Sequence, residues 1–247
     1  SGAAIASSLA EMGSLIVLCI YTGVKIDKEK YGLKPVHDGR LLIKVLNLSV
    51  WSMLHAFISV APWFLFFVAI EHLGKTELAI SNITRSVSAI FFVIANSFAV
   101  TTGSLVSNAI GAGARKELFP ICHKVLKLGY AVGFPLVVVA LLCNRWIVSF
   151  YTDNELLVEL AFAPFVVMLL NYTFALPGYV YLNAVGGTGK TKITFLFQVT
   201  TTCVYLVYLY WLSFCIEASL SLYLTAEYLF VILLALQSII YLKSKHY

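Results

Sequence analysis

Seven long stretches of the chain lack Asp, Glu, Lys and Arg, and they limit what this chain can fold into. They cover residues 12–24, 45–70, 86–114, 128–144, 160–189, 193–216 and 228–242. A helix needs about 20 apolar residues to cross a hydrocarbon core of about 30 Å. Most of the stretches reach that length, and the shorter ones reach it through a single embedded charge. The runs are continuous instead of alternating, which favours helices over a membrane barrel. We therefore predict an all-α integral membrane protein.

The composition excludes a soluble domain. Charged residues make up 12% of the 247 residues and hydrophobic residues 60%, whereas a soluble domain has roughly 25% charged residues.

Two amphipathic segments, 40–48 and 116–127, are predicted to lie on the membrane surface before the second and fourth spans. We predict about seven spanning helices, at residues 3–22, 46–70, 79–110, 128–150, 157–185, 193–215 and 218–242.

Basic residues are unevenly divided between the two sets of connecting segments. One set has fourteen, and the other has only Lys75 and Arg145. Cytoplasmic loops carry the excess of Lys and Arg, so the C-terminus is predicted to be cytoplasmic and Ser1 external, in the cell (inner) membrane. The net charge of +5 results from this bias and does not indicate a nucleic-acid partner. The richer set contains Lys25, Lys28, Lys30, Lys34, Arg40, Lys44, Arg115, Lys116, Lys124, Lys127, Lys190, Lys192, Lys243 and Lys245.

The segment "YLNAVGGTGKTK" (181–192) is similar to a nucleotide-binding loop, with Gly189, Lys190 and Thr191 in the phosphate-binding places. Such a loop requires a β-strand before it, whereas a long apolar helix is predicted here. A second copy of the pattern, "SNAIGAGARKE" (107–117), also follows an apolar span. Glycines favour the left-handed cap of a helix, and basic residues favour its negative end. We therefore predict that each of the two segments ends a helix and that neither binds a nucleotide.

Two acidic residues are predicted to lie deep in the membrane. At about 1.5 Å per residue, Glu11 lies about 15 Å from Ser1, and Glu227 lies about 15 Å from Glu217. A charge at mid-bilayer costs at least about 2.5–3.5 kcal/mol, so both carboxyl groups are expected to face the protein interior or a water-filled cavity. Each either binds a proton or cation that couples transport to a gradient, or forms a structural hydrogen bond or ion pair between helices.

Further polar residues lie within the predicted spans. Arg85 either extends to the membrane surface or pairs with an acid. His55, near mid-depth of the second span, is either a neutral core histidine or a proton relay, and the core histidine is favoured. Five amides could line a cavity or join helices: the site candidates Asn82, Asn183 and Gln198, and also Asn96 and Asn171. A group of tyrosines, Tyr205, Tyr208 and Tyr210, is expected in the aromatic belt at the membrane interface, with a cavity wall as the alternative.

Four segments carry a family resemblance: "GAAIASSLAE" (2–11), "LGKTELAISNITRSVSAIFF" (73–92), "GSLVSNAIGAGARKE" (103–117) and "LPGYVYLNAVGGTGKTK" (176–192). Together they resemble the multidrug and toxic compound extrusion (MATE) transporters, particularly the bacterial ones. The resemblance implies two six-helix bundles around a V-shaped cavity, which export small amphipathic or cationic organic compounds against Na⁺ or H⁺. It implies a transporter without enzymatic activity and without a cofactor, whose coupling ion is Na⁺ or H⁺.

The resemblance also implies a domain organisation. Residues 1–24 correspond to the sixth helix, the last of the N-terminal lobe, and 25–40 to a cytoplasmic linker. Residues 41–247 correspond to the C-terminal six-helix lobe. The first five helices of the N-terminal lobe would be missing and are expected as the partner of this chain.

The chain departs from the family at the ion site of the second lobe. Many members carry an acid in the seventh or the tenth helix, but 45–70 and 160–189 contain none. An ion site in this lobe would therefore use Glu227. The alternative function is a seven-helix receptor, because seven spans with an external N-terminus fit that class. Its usual motifs are absent, since the third span ends in Asn-Ala-Ile-Gly-Ala-Gly and the seventh contains no proline.

Overall fold

A computed structural model describes residues 2–25, 38–216 and 218–244 of the chain. Within these residues the chain forms ten α-helices and no strand, with short 3₁₀ turns at Glu71–Leu73 and Arg115–Glu117. The helices are α1 (Gly2–Lys25), α2 (Gly39–Ile70), α3 (Lys75–Gly111), α4 (Leu118–Leu142), α5 (Asn144–Ser149), α6 (Glu155–Leu160), α7 (Phe162–Leu170), α8 (Tyr172–Gly187), α9 (Thr191–Phe214) and α10 (Leu220–Ser244).

Seven helical stretches of the described chain are long and apolar enough to cross a membrane, which confirms the predicted number. The fifth stretch, Glu155–Gly187, contains α6, α7 and α8 in succession. The other six each contain one long helix. The chain is a multi-pass, all-helical membrane protein.

The predicted surface segments are not separate helices. Residues 40–48 belong to the single helix α2, and most of 116–127 belongs to α4. The apolar face of the latter segment packs against protein, since Leu118, Cys122 and Val125 are buried. The predicted fourth span, 128–150, is therefore wrong at both ends. The helix begins at Leu118 and ends at Leu142, and the short helix α5 follows.

The fifth span is divided at two residues, and a proline inside its last helix frees one backbone carbonyl. Breaks at Ala161 and Asn171 separate α6, α7 and α8. Pro177 lies inside α8 and has no N–H to donate to the carbonyl of Thr173. The hydroxyl of Tyr130 on α4 donates to this freed carbonyl at 2.7 Å. A side chain of a neighbouring helix thus satisfies a backbone group that would otherwise be unpaired in the bundle.

The fold divides after Val45 into two compact units, which are described separately. In the first unit, α1 exposes apolar side chains such as Leu9, Leu15 and Val17, which suit a hydrocarbon environment. Most of the linker predicted at 25–40 lies outside the described residues. In the second unit, α8 is central because it packs against α3, α4, α9 and α10.

Backbones of α3 and α8 come into direct contact at a pair of glycines. A Cβ atom on Gly187 would lie 2.5 Å from the carbonyl oxygen of Gly103, and one on Gly103 would lie 3.2 Å from the carbonyl oxygen of Asn183. Small residues allow such close approach between membrane helices. We call this end of the bundle, where α3 and α8 finish and α9 begins, the glycine end. The end where α3 and α10 begin is called the opposite end.

Both glycine-rich motifs end a helix as predicted. Gly113 and Gly189 each lie two residues after a helix ends, with φ of 78° and 79°. Glycine adopts this left-handed conformation without steric cost. The N–H of Gly113 donates to the carbonyl of Ile110 at 3.0 Å, and that of Gly189 to the carbonyl of Gly186 at 2.9 Å. The phosphate-loop-like segment is therefore the cap of α8.

We predict that Gly187→Ala destabilises the bundle, because the added methyl group collides with backbone atoms. Unlike a side chain, the backbone cannot move aside by changing its rotamer. Overpacking of this kind costs about 1–3 kcal/mol. The matched control is Gly111→Ala, at the last residue of α3, where an added Cβ meets nothing within 4 Å. Thermal unfolding in detergent should show a lower midpoint for Gly187→Ala only. Equal midpoints for the two variants would contradict the close contact.

Candidate functional site

An ion pair joins α3 to α10 inside the second unit. Nη2 of Arg85 donates to Oε1 of Glu227 at 2.6 Å, and the two side chains are 4% and 13% exposed. Both helices pack on α8, which brings together two residues 142 positions apart. Of the two alternatives for Arg85, the structure shows pairing with an acid. A charge-assisted bond of this length is among the stronger hydrogen bonds in proteins.

Aromatic rings near the end of α2 surround the guanidinium group. The Cζ atom of Arg85 lies 4.0 Å from the ring centroid of Phe66, 5.1 Å from that of Trp63 and 5.4 Å from that of Phe67. The negative faces of aromatic rings attract a cation, more strongly when water is excluded. The planar guanidinium of arginine stacks on such rings, whereas the compact ammonium of lysine does not. The rings therefore hold Arg85 in position beside Glu227.

A third residue, Tyr205 of α9, completes this cluster. Its hydroxyl donates to Oε1 of Glu227 at 3.2 Å, and the residue is fully buried. The expected position of Tyr205 in the aromatic belt is therefore wrong. A signal was present in the sequence, because Tyr205 follows Gln198 by seven residues and so lies on the same face of a helix. We call Arg85, Glu227 and Tyr205 the ion-pair cluster.

A small cavity of about 50 Å³ adjoins the ion-pair cluster. Its walls are largely aromatic, and Asn171, at the break between α7 and α8, contributes an amide. Two buried polar atoms here, Nε of Arg85 and Oδ1 of Asn171, lack a hydrogen-bond partner among the described residues. Unpaired buried atoms of this kind are costly, at about 1–3 kcal/mol each. The lining includes Trp63, Phe91, Phe92, Tyr172, Tyr179 and Glu227.

A second cavity lies toward the glycine end and brings together three of the predicted residues. It has a volume of about 360 Å³ between α2, α3, α8 and α9, and His55 and Asn183 line it. The side chain of Gln198 lies next to His55. Nε2 of His55 is buried without a hydrogen-bond partner among the described residues. We call this space the inner cavity, and its other polar lining residues are Ser52, Ser104, Thr191 and Thr194.

Two predicted site residues lie in neither cluster. Asn82 is exposed on α3, and its amide donates to the backbone carbonyl of Leu78 at 3.0 Å. Glu11 lies on α1 with an exposed side chain, in the unit that is described separately. Its role as a carboxylate facing the protein interior stays a prediction. The seven candidate residues thus include one ion pair, one group of three around His55 and two separate positions.

The sequence of this bundle matches a known protein family. A family model described as MatE matches residues 52–212, which include the lining of the inner cavity and every lining residue of the small cavity except Glu227. The chain belongs to the MatE family. A comparison with curated proteins finds no match.

Solved structures similar to this MatE chain are described as MATE proteins or as a MOP superfamily transporter. A MATE crystal structure in a bent conformation has a TM-score of 0.72 at 18% identity and covers 82% of this chain and 45% of that chain. A MATE point mutant gives 0.72 at 19%, covering 82% and 46%. A MOP superfamily transporter from Pyrococcus furiosus, described as having a binding pocket of reverse polarity, gives 0.67 at 17%, covering 80% and 43%. These structures share the fold, and this chain spans less than half of their length.

We predict that Arg85→Met strongly destabilises this MatE bundle, because it leaves the carboxylate of Glu227 without its cation. Removing one partner of a buried pair costs about 3–5 kcal/mol. The double variant Arg85→Met/Glu227→Gln should recover most of that loss, since the amide still accepts the hydrogen bond of Tyr205. Denaturant unfolding in detergent measures both changes. Asn82→Ala, on the exposed face of the same helix, serves as the control and should stay near the wild-type value. Additive effects of the two substitutions would contradict the coupling.

Proposed function

We propose that the protein is a secondary active exporter, an antiporter that moves a small amphipathic or cationic organic compound out of the cell in exchange for Na⁺ or H⁺. Membership of the MatE family and the fold shared with MATE transporters support this proposal. The alignment covers only 45% and 43% of the length of two of the matched structures. We propose that a first lobe of helices supplies the other wall of the transport cavity.

The polar face of α3 carries this proposal. Eight exposed side chains along this membrane-spanning helix are hydroxyls or amides, and all lie within about 140° of one another at 100° per residue. Lipid offers such groups no partners, whereas a water-filled cavity does. Several of them bond only to the backbone of their own helix, as Ser97 does to Val93 and Thr101 to Ser97. The eight are Asn82, Ser86, Asn96, Ser97, Thr101, Ser104, Ser107 and Asn108.

The ion-pair cluster supplies the coupling chemistry in this proposal. Glu227 is a carboxylate within a membrane span, where acids mark ion and proton routes. An ion or proton that binds Glu227 competes with Arg85 for the same oxygen, so binding weakens the link between α3 and α10. Release of the ion restores the link. The carboxylate of Glu227 therefore pairs in turn with the guanidinium of Arg85 and with the coupling ion. Ion binding thus changes the link between α3 and α10.

The proposed orientation places the glycine end in the cytoplasm of the cell, with the protein in the cell (inner) membrane. The positive charges of Lys190 and Lys192 adjoin this end, where α9 begins. Lys243 lies in the last turn of α10, which ends on the same side. The opposite end, nearer Glu227, faces outward. Under this orientation the coupling ion reaches Glu227 from the external side and leaves toward the inner cavity.

We predict that Glu227→Gln abolishes gradient-driven export while the protein still inserts in the membrane, because a neutral amide cannot exchange Arg85 for an ion. The full protein is reconstituted in liposomes, and export of ethidium and related fluorescent amphipathic dyes is followed under separate sodium and proton gradients. Glu159→Gln is the matched control, since Glu159 is exposed on α6 and should leave transport unchanged. Export by Glu227→Gln with normal ion dependence would reject the proposed role.

A further inference from the structure

One face of α9 is polar and buried along most of the helix. It carries Thr194, Gln198, Thr201, Thr202 and Tyr205, and each is at most 7% exposed. The spacing of three and four residues places all five on one face, with neighbouring Cβ atoms about 5–6 Å apart. We call these five residues the polar seam. Its position is unusual, because apolar residues would fill the interior of a membrane bundle at lower cost.

The polar seam is only partly satisfied by hydrogen bonds. Oγ1 of Thr201 accepts from Nε2 of Gln237 at a long 3.4 Å. Oγ1 of Thr202 is buried without a partner among the described residues. A valine has nearly the same shape as threonine and would avoid the penalty of an unpaired hydroxyl. The hydroxyl of Thr202 therefore lowers the stability of this conformation, which points to a role other than stabilising the fold.

The two ends of the polar seam meet the two titratable centres of the bundle. At one end, Tyr205 donates to Glu227. At the other, Gln198 lies next to His55, whose Nε2 has no partner within the described chain. Gln198 and Tyr205 are seven residues apart, which is about 10 Å along the helix. The seam thus connects a carboxylate near the opposite end with an imidazole near the glycine end.

Charged and titratable groups face each centre from the packed helices. Around Glu227 they are Arg85 from α3, Tyr205 from α9 and Tyr179 from α8, which shares the small cavity. Around His55 the neighbours are neutral, apart from the exposed Lys192, whose Nζ lies 5.2 Å from the ring of Trp51, one turn before His55. Of the described residues lining the inner cavity, His55 alone has a side chain that can gain a charge by taking up a proton.

We propose that the polar seam conducts protons between Glu227 and His55, and that the proton is the coupling ion of this exporter. The inference rests on the proposed function and specifies its ion. Glu227 takes up a proton on its carboxylate and loses its charge-assisted bond to Arg85. Each hydroxyl along the seam then accepts a proton on one side and gives one up on the other, and the amide of Gln198 accepts a proton on its oxygen, releases one from its nitrogen and then returns to its usual tautomer. His55 accepts a proton on one ring nitrogen and releases one from the other into the inner cavity. Glu227 is then a carboxylate again and pairs with Arg85. No covalent bonds have changed except those to the transferred protons.

The decisive variant is Thr202→Val in the full protein, reconstituted in liposomes with a trapped pH-sensitive dye and ethidium as the export probe. Wild type should take up protons through the membrane as it exports ethidium under a pH gradient. Thr202→Val should lose proton movement and proton-driven export to the level of empty liposomes, without a lower unfolding midpoint. Thr202→Ser keeps the hydroxyl and should retain both activities. Thr200→Val, exposed on the same helix, is the matched control and should also retain both.

Several outcomes would overturn the proton route. Normal proton movement in both Thr202→Val and Tyr205→Phe would show that the seam conducts nothing, and using two variants guards against a folding defect in either. Wild-type export that depends on sodium and moves no protons would also overturn it, but would leave the proposed exporter intact. No ethidium export by wild type under either gradient would reject the exporter and the route together.

Discussion

A guanidinium and a carboxylate inside a membrane bundle constrain the rest of this structure. Each charge alone would cost at least about 2.5–3.5 kcal/mol at the centre of a bilayer, so α3 and α10 must stay in the register that brings Arg85 and Glu227 to 2.6 Å. The rings of α2 cover the guanidinium, and Tyr205 of α9 holds the carboxylate. Four of the long helices of the second unit are therefore positioned around one contact.

The central helix makes this arrangement possible through its irregularities. Pro177 frees a carbonyl that Tyr130 of α4 then binds, and Gly187 lets the backbone of α8 touch that of α3. A regular helix of large side chains would hold α3 and α10 further apart. The break before Tyr172 also places Asn171 in the wall of the small cavity. Sequence features that weaken an isolated helix thus define the site.

Much of the fold could be predicted from the sequence, because lipid requires long charge-free helices and the glycine motifs require helix ends. The start of α4 could not, since an amphipathic segment such as 116–127 has the same pattern whether its apolar face meets lipid or protein. Counting residues along the helix could predict how deep Glu227 lies in the membrane. Its pairing with Arg85 was only one of two alternatives, because a contact across 142 residues depends on how both helices pack on α8. Tyr205 was misplaced for the same reason.

The unpaired polar atoms of the interior suit the transport mechanism proposed above. Nε of Arg85 and Oδ1 of Asn171 adjoin the small cavity, whereas Nε2 of His55 and Oγ1 of Thr202 belong to the inner cavity and the polar seam. A bundle with a single arrangement would gain stability by replacing such groups with apolar ones. A bundle that exchanges the partners of Glu227 needs spare donors and acceptors in its second arrangement. Asn171 and Glu227 line the same small cavity, so in the proposed mechanism a change of partner at Glu227 acts directly on the cavity wall.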